Sequence, residues 1–299
     1  MNEPLEPRVA AMLARQVRPE VAEFARTLGE EASALAVLFY GSNLRTGSLE
    51  GVLDYYVLTP GASERGLWPR VSYREWQVGG ETLRAKIATM TLAKFAEACR
   101  GDTLDTTIWA RFVQPSALVW AKDEEAAAQV RASVADAART AGRLAAALGP
   151  AQGRAEDYWR SLFRATYRAE LRVEAPGRED SILAANPAHF AGLLPASWVS
   201  AGVPFGESGA ELAPRLEPAE RDRLKRWWAV RRRMGKALNV ARLVRATTTF
   251  EGAARYGAWK VERHTGVAVE MTPWRERHPV LAAPGVLWQV WRARKRAQS

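Results

Sequence analysis

Cysteine is nearly missing from this 299-residue chain: Cys99 stands alone, with only three histidines beside it. One thiol closes no disulfide, and one Cys with three scattered His supplies no zinc-finger or Cys-rich metal site. The chain therefore reads as a protein of a reducing compartment. It also lacks any uninterrupted apolar run of the roughly 18–20 residues needed to span a bilayer. Its first residues, MNEPLEPRVAAML, put Glu3, Pro4, Glu6 and Pro7 ahead of the first apolar stretch, which fits neither a secretory signal nor a transit peptide. No internal repeat and no low-complexity tract occurs. What is present is a globular composition, 47% hydrophobic and 25% charged, with length for one large domain or two ordinary ones.

Acidic residues are scarce in one region only. Residues 221–299 hold 19 Lys and Arg against 5 Asp and Glu, a balance of +14, whereas the first 220 hold 24 against 28, a balance of −4. Six of the twelve Trp also lie in that last quarter. A cationic, Trp-rich region can lie on a phospholipid headgroup layer or bind single-stranded nucleic acid by stacking and phosphate contact. It can equally be a solvated helical domain with Trp in its core.

Hydrophobic patterning divides the chain in two. Residues 19–28 read as a helix opened by Pro19 and closed by Gly29. Residues 35–40 and 52–59 read as strands, and 71–78 with 82–88 as a hairpin about Gly79-Gly80. Residues 91–100 read as a helix with Cys99 in its core face, 116–121 as a strand, and 123–147 as an Ala-rich helix stopped by Gly149-Pro150. Beyond that point 155–174, 217–246 and 252–264 are helical in pattern, and 199–216, with several Gly and Pro, reads as loop. The expected architecture is an α/β (α+β) front domain with a mixed sheet over 1–149. A mostly helical domain follows over 150–278, for which a winged-helix-like form is one option, and then an amphipathic basic tail over 279–299.

The stretch that carries chemistry is Tyr40-Gly41-Ser42-Asn43 followed by Asp54-Tyr55-Tyr56. A buried strand delivers a Gly-Ser turn whose lack of bulk lets backbone N–H groups approach a phosphate, and the next strand presents a carboxylate beside it. This arrangement resembles the nucleotidyltransferase fold of DNA polymerase β and its relatives, although Tyr56 stands where the second carboxylate of that superfamily is found. Within it the chain is similar to the mitochondrial-type phosphatidate cytidylyltransferases, the peripheral CDP-diacylglycerol synthases. Four segments carry the likeness in order: Tyr40-Gly41-Ser42 with Asp54; Lys86 within Leu83-Arg84-Ala85-Lys86-Ile87; Ala110-Arg111-Phe112-Val113-Gln114-Pro115; and Ala169-Glu170-Leu171-Arg172 between Tyr167 and Glu179-Asp180. The stretch from Lys236 to Lys260 echoes a fifth. Asn43 and Gln114 depart from the family's Gly and Lys, and Glu170 replaces an Asp.

The resemblance implies CMP transfer from CTP to phosphatidate with release of pyrophosphate, by a cytoplasmic protein held at the inner face of a membrane. It implies Mg²⁺ on Asp54 and Glu170, charge neutralisation by Lys86, and nucleotide contacts from Gly41, Ser42, Asn43, Arg111 and Arg172. Glu170 and Arg172 are two apart on a helix and so do not share a face. The phosphomonoester acceptor is already anionic at neutral pH, so no catalytic His is required, and none is assigned among His189, His264 and His278. Residues 279–291, apolar and too short to span, precede Arg292, Arg294, Lys295 and Arg296; with Trp288 and Trp291 they form the pattern of a membrane-surface segment. Arg231-Arg232-Arg233, beside Trp227-Trp228, fits a lipid phosphate, nucleic acid or a solvated helix. Two alternatives stand beside this one: a nucleotidyltransferase of the same fold acting on RNA or protein, and an inert binding protein that lacks the second carboxylate.

Overall fold

The computed structural model describes residues 3–78, 80–169, 177–249 and 252–277, with 282, 284, 285, 288 and 289. Helices α1 (Leu5–Leu13) and α2 (Pro19–Glu31) come first. In α2, Val21, Phe24, Ala25 and Leu28 are buried at helical spacing, a single apolar stripe aimed at the sheet. The helix does not stop at Gly29. That glycine is buried in the last turn with the Trp120 indole lying where a Cβ would project, so it permits a close approach and leaves termination to later residues.

Strand β1 (Ala36–Tyr40), a short helix α3 (Ser42–Thr46), β2 (Leu53–Thr59), β3 (Arg70–Val78) and β4 (Glu81–Thr91) follow; α4 (Leu92–Cys99) and α5 (Thr107–Phe112) then lead to β5 (Ser116–Ala121). The hairpin forms as expected, with Val78 opposite Glu81 and Gly80 at φ +84°. The strand order is β3-β4-β2-β1-β5. The sheet is mixed: β2 and β4 run parallel, and every other neighbouring pair is antiparallel.

Period-two alternation separates the two faces of this sheet. Val37, Phe39, Tyr55, Val57 and Ile87 pack with Phe24 and Leu28 of α2. Leu38, Tyr56, Leu58, Ala88 and Met90 pack into a larger cluster on the other side. That second cluster crosses Gly149-Pro150 without a break, because Trp159, Phe163, Phe190 and Trp198 from beyond it belong to it.

The later part is mostly helical. Helix α6 (Glu124–Leu148) is capped by Asp123, whose carboxylate accepts the Ala126 N–H at 2.8 Å. A two-residue strand β6 (Gly153–Arg154) precedes α7 (Ala155–Ala169), α8 (Arg178–Ala185) and α9 (Pro187–Ser200). Residues 199–216 are not simply loop: β7 (Phe205–Ser208) and β8 (Glu211–Pro214) form a hairpin turned at Gly209, φ +62°, and joined by β6. The strands are too short to show alternation, and the contact that fixes them is distant, the buried Tyr158 hydroxyl donating to the Leu212 carbonyl at 2.6 Å. Helices α10 (Pro218–Thr249), α11 (Ala253–Thr265) and α12 (Pro273–Arg277) complete the order. Among the described residues no helix is long and apolar enough to cross a membrane.

Part of the basic, Trp-rich quarter is core. Trp228 is buried, and Trp227 and Trp228 each lie 6.5 Å from the Trp109 ring. Arg231 is buried as well: it donates to the Thr103 carbonyl at 2.9 Å and the Gly101 carbonyl at 2.8 Å, and lies 3.6 Å over the Trp227 ring. Burial lowers its pKa to about 10. Of the Arg231-Arg232-Arg233 triplet, the first fastens α10 to the α4–α5 loop.

His189 of α9 also serves the fold, its Nε2 lying 3.0 Å from the Val113 carbonyl. Burial lowers its pKa to about 4, with Arg15 and Arg8 acting the same way against the opposing hydrogen bond. The folded value lies below the unfolded one of about 6.5, so the unfolded chain takes up the proton first. Stability is therefore full above pH 6.5 and falls as pH drops towards 4, by roughly 3 kcal/mol. Chemical denaturation of His189→Gln across that range is expected to lack this slope; an unchanged slope would assign the acid sensitivity to other groups.

Candidate functional site

The face of the sheet that carries the large cluster becomes polar at one end. Along β1, Leu38 is followed on that face by Tyr40; along β2, Tyr56 is preceded by Asp54; along β4, Ala88 is preceded by Lys86. The register places Tyr40 opposite Asp54 and Asp54 opposite Lys86, so one row across three strands reads Tyr, Asp, Lys. Arg111 of α5 faces this row, and Ser42 and Arg45 of α3 stand at its open end. Together they line a cleft of about 290 Å³, to which Tyr167, Ile182 and Asn186 also contribute.

Gly41 makes the turn. Its φ of +94° and ψ of −162° lie in a region essentially reserved for glycine, and a Cβ built there would sit 3.1 Å from Asp54 Oδ2. Burial pushes the Asp54 carboxyl above its usual range, while Lys86 and then Arg111 pull it back. Burial also raises Tyr40 well above the ordinary phenol value, and Tyr56 in the same direction, with Arg111 opposing in both. Among the described residues the charged members of the cleft are Arg45, Lys86 and Arg111 against Asp54, a net positive set.

Tyr56 explains how Arg111 is held. Arg111 donates to the Tyr56 hydroxyl at 2.7 Å, and its guanidinium lies 5.2 Å from the Tyr40 ring and 5.7 Å from the Tyr56 ring. The position expected to carry a second carboxylate is therefore occupied by a phenol that orients a cation. Tyr56→Phe keeps the edge contact with Phe112 at 5.1 Å but removes the acceptor. It is expected to cost about 1 kcal/mol of stability and, if the cleft takes an anion, to weaken pyrophosphate binding about tenfold, read by thermal melts and calorimetric titration. Unchanged binding would show that the phenol does not position Arg111 for a ligand.

The other expected site residues divide. Ser42 lines the cleft. Asn43 does not: it is buried, its amide donates to the carbonyls of Ser48 and Glu50 at 2.8 Å each, and its Oδ1 faces the Ser42 hydroxyl at 3.3 Å. It shapes the loop that carries Gly41. Gln114 lines the cleft while donating to the Ala110 carbonyl at 2.9 Å. Glu179 and Asp180 pair with Arg164 and Arg160 at 2.7 Å each, tying α8 to α7. Trp288 is 56% exposed. Glu170, Arg172, Trp291, Arg292, Arg294, Lys295 and Arg296 lie outside the described residues, as does His278. Cys99 is buried in α4, as expected.

Arg45 and Asn186 were not singled out in the sequence. Arg45 had a signal, three residues after Ser42 on one helical turn; Asn186 had none, because only the placement of α8 and α9 brings it to the sheet.

A magnesium ion held by protein carboxylates does not fit the described residues. Asp54 is the only carboxylate among those that line the cleft, and no cluster of three or more His, Cys, Asp or Glu able to hold a metal occurs among the described residues. The set fits an anion instead. No protein-family model matches this chain, and no curated protein sequence matches it.

Proposed function

We propose that this chain is a nucleotidyltransferase that binds the triphosphate of CTP in the cationic cleft and transfers CMP to phosphatidate. The observation that carries the reading is the row of Tyr40, Asp54 and Lys86 beside the Gly41-Ser42 turn, faced by Arg111 and Arg45. Three cations about one carboxylate attract a polyphosphate and leave one acidic group beside it. The choice of base and of lipid acceptor rests on the sequence resemblance, as does Mg²⁺ as a companion of the triphosphate.

The residues present suit a phosphoryl-type transfer that needs no covalent enzyme intermediate. An oxygen of the acceptor phosphate attacks the α-phosphorus of CTP. The new oxygen–phosphorus bond forms as the bond to the bridging oxygen breaks, and pyrophosphate departs with that electron pair. Negative charge spreads over the equatorial oxygens meanwhile, and fixed cations in a poorly solvated cleft stabilise it more than water does. Lys86 on a central strand and Arg111, clamped between two phenols, are such fixed cations. Asp54 lies opposite Lys86 in the register and attracts both Lys86 and Arg111.

One observation favours a second reading, an anion-binding protein without transferase activity: the second acid position is a phenol, and one carboxylate lines the described cleft. Labelled CTP incubated with phosphatidic acid, with and without Mg²⁺, separates the two. Formation of CDP-diacylglycerol supports transfer, and its loss with a chelator supports the ion. Binding of CTP with no product from any common nucleoside triphosphate, whether lipid, RNA or protein is offered as acceptor, would leave the second reading.

A further inference from the structure

Helix α10 has two unlike faces. Between residues 223 and 249 it carries nine Lys and Arg and no Asp or Glu. Its inner stripe, Trp228, Arg231, Gly235 and Arg242, is spent on the body of the protein. Trp228 is buried, Arg231 bonds the α4–α5 loop, Gly235 sits against the Ala169 carbonyl, and Arg242 pairs with Asp105 at 2.8 Å. The outer stripe follows the same three-and-four spacing: Arg223, Arg226, Val230, Arg233 and Ala237, with Met234 alongside, all exposed. Lys225, Arg232 and Lys236 flank it and are exposed too. Two acids stand at the helix start: Glu220, 3.6 Å from Arg223, and the exposed Asp222.

We propose that the outer face of α10 is the surface by which this protein lies on an anionic phospholipid bilayer. Charge complementarity selects the partner's sign: six exposed cations, from Arg223 to Lys236, extend over about 20 Å of helix, against two acids, Glu220 and Asp222, at its start. The interleaved apolar residues select the partner's class. Val230 is 51% exposed, Met234 41% and Val240 47%. Against a phosphate backbone these side chains would stay in water. At a bilayer they enter the acyl boundary while the arginines remain among the headgroups. A single-stranded nucleic acid would want exposed aromatic platforms, and both tryptophans of this helix are turned inward, Trp228 into the core and Trp227 under Arg231. The inference does not rest on the transferase reading, because binding to vesicles is measured without nucleotide.

The test compares full-length proteins by co-sedimentation with vesicles of phosphatidylcholine alone and of phosphatidylcholine mixed with phosphatidylglycerol. Wild type is expected to bind the anionic vesicles only and to be released by salt. The triple variant Arg223→Glu/Arg226→Glu/Arg233→Glu is expected to lose that binding by roughly 100-fold. Val230→Ser/Met234→Ser is expected to lose it about tenfold while leaving the charge, and thus the salt dependence, intact. Melting curves report whether each variant folds; the serine variant alone decides if the triple one does not. Equal binding by wild type and by the folded variants overturns the proposal. So does binding that disappears only when Arg292, Arg294, Lys295 and Arg296 are reversed, or affinity for an RNA oligonucleotide, lost in the triple variant, with none for vesicles.

Discussion

Asp54→Asn is expected to lower the proposed CMP transfer about 10²–10³-fold, the size of loss that follows removal of one preorganised polar group at a reacting centre, because its carboxylate faces Lys86 and attracts Arg111, the cations placed on the spreading charge. The same change is expected to leave the protein as stable as wild type or more stable at neutral pH. The sign follows from linkage. Burial holds the Asp54 pKa above its unfolded value, Lys86 and Arg111 only partly offsetting it, so the folded protein binds the proton more tightly than the unfolded chain does. Ionised Asp54 therefore costs stability, and that cost grows as pH rises from the unfolded pKa through the folded one. A neutral amide of the same shape avoids it. Wild type and variant melts should converge at low pH, where both side chains are neutral, and diverge in the variant's favour above. Such opposition between stability and activity is common at functional sites. A variant that melts well below wild type at pH 7 would make Asp54 a structural ion-pair member, and one that retains activity would remove it from the site.

Gly41→Ala is expected to have the next largest effect, and on both properties together. Backbone at φ +94°, ψ −162° costs a non-glycine residue about 1–3 kcal/mol, roughly 2–5 °C in Tm for a chain of this size. The added methyl would also meet Asp54 Oδ2 at 3.1 Å, so the carboxylate has to move. Triphosphate binding is expected to fall more than tenfold, measured by titration calorimetry on the folded fraction. Ala at Gly47, which is also left-handed at φ +67° but has open space around it, should cost stability without touching binding. Equal effects of the two substitutions on binding would remove Gly41 from the site.

The parts of this site that could be seen in the sequence are those set by local rules. Tyr40 and Gly41 end a β-rich run, and Asp54 and Tyr56 share a face because side chains alternate along a strand. What could not be seen is which strand lies beside which. Lys86 meets Asp54 because β4, the second arm of a hairpin, pairs parallel to β2, a crossover that no pattern within either segment specifies. Tyr56 looked like a missing carboxylate; its partner is 55 residues away in α5. Asn43, placed beside the Gly-Ser turn, looked like a ligand contact, yet its amide is consumed by two carbonyls of its own loop.

The basic last quarter shows the same division. By itself the sequence determined that this region is cationic, helical and rich in tryptophan, since charge and periodicity are properties of the chain. Tertiary structure alone decided which of those residues meet solvent. Trp227, Trp228 and Arg231 lie on the stripe of α10 that packs against Trp109 and the Gly101–Thr103 carbonyls, and Arg223, Arg226 and Arg233 lie on the stripe that does not. Both stripes mix arginine with apolar residues at the same spacing, so periodicity ranks neither as the inner one. The choice was made by what the body of the protein offers: on one side a tryptophan to pack on and carbonyls that need donors, and on the other no comparable partner among the described residues.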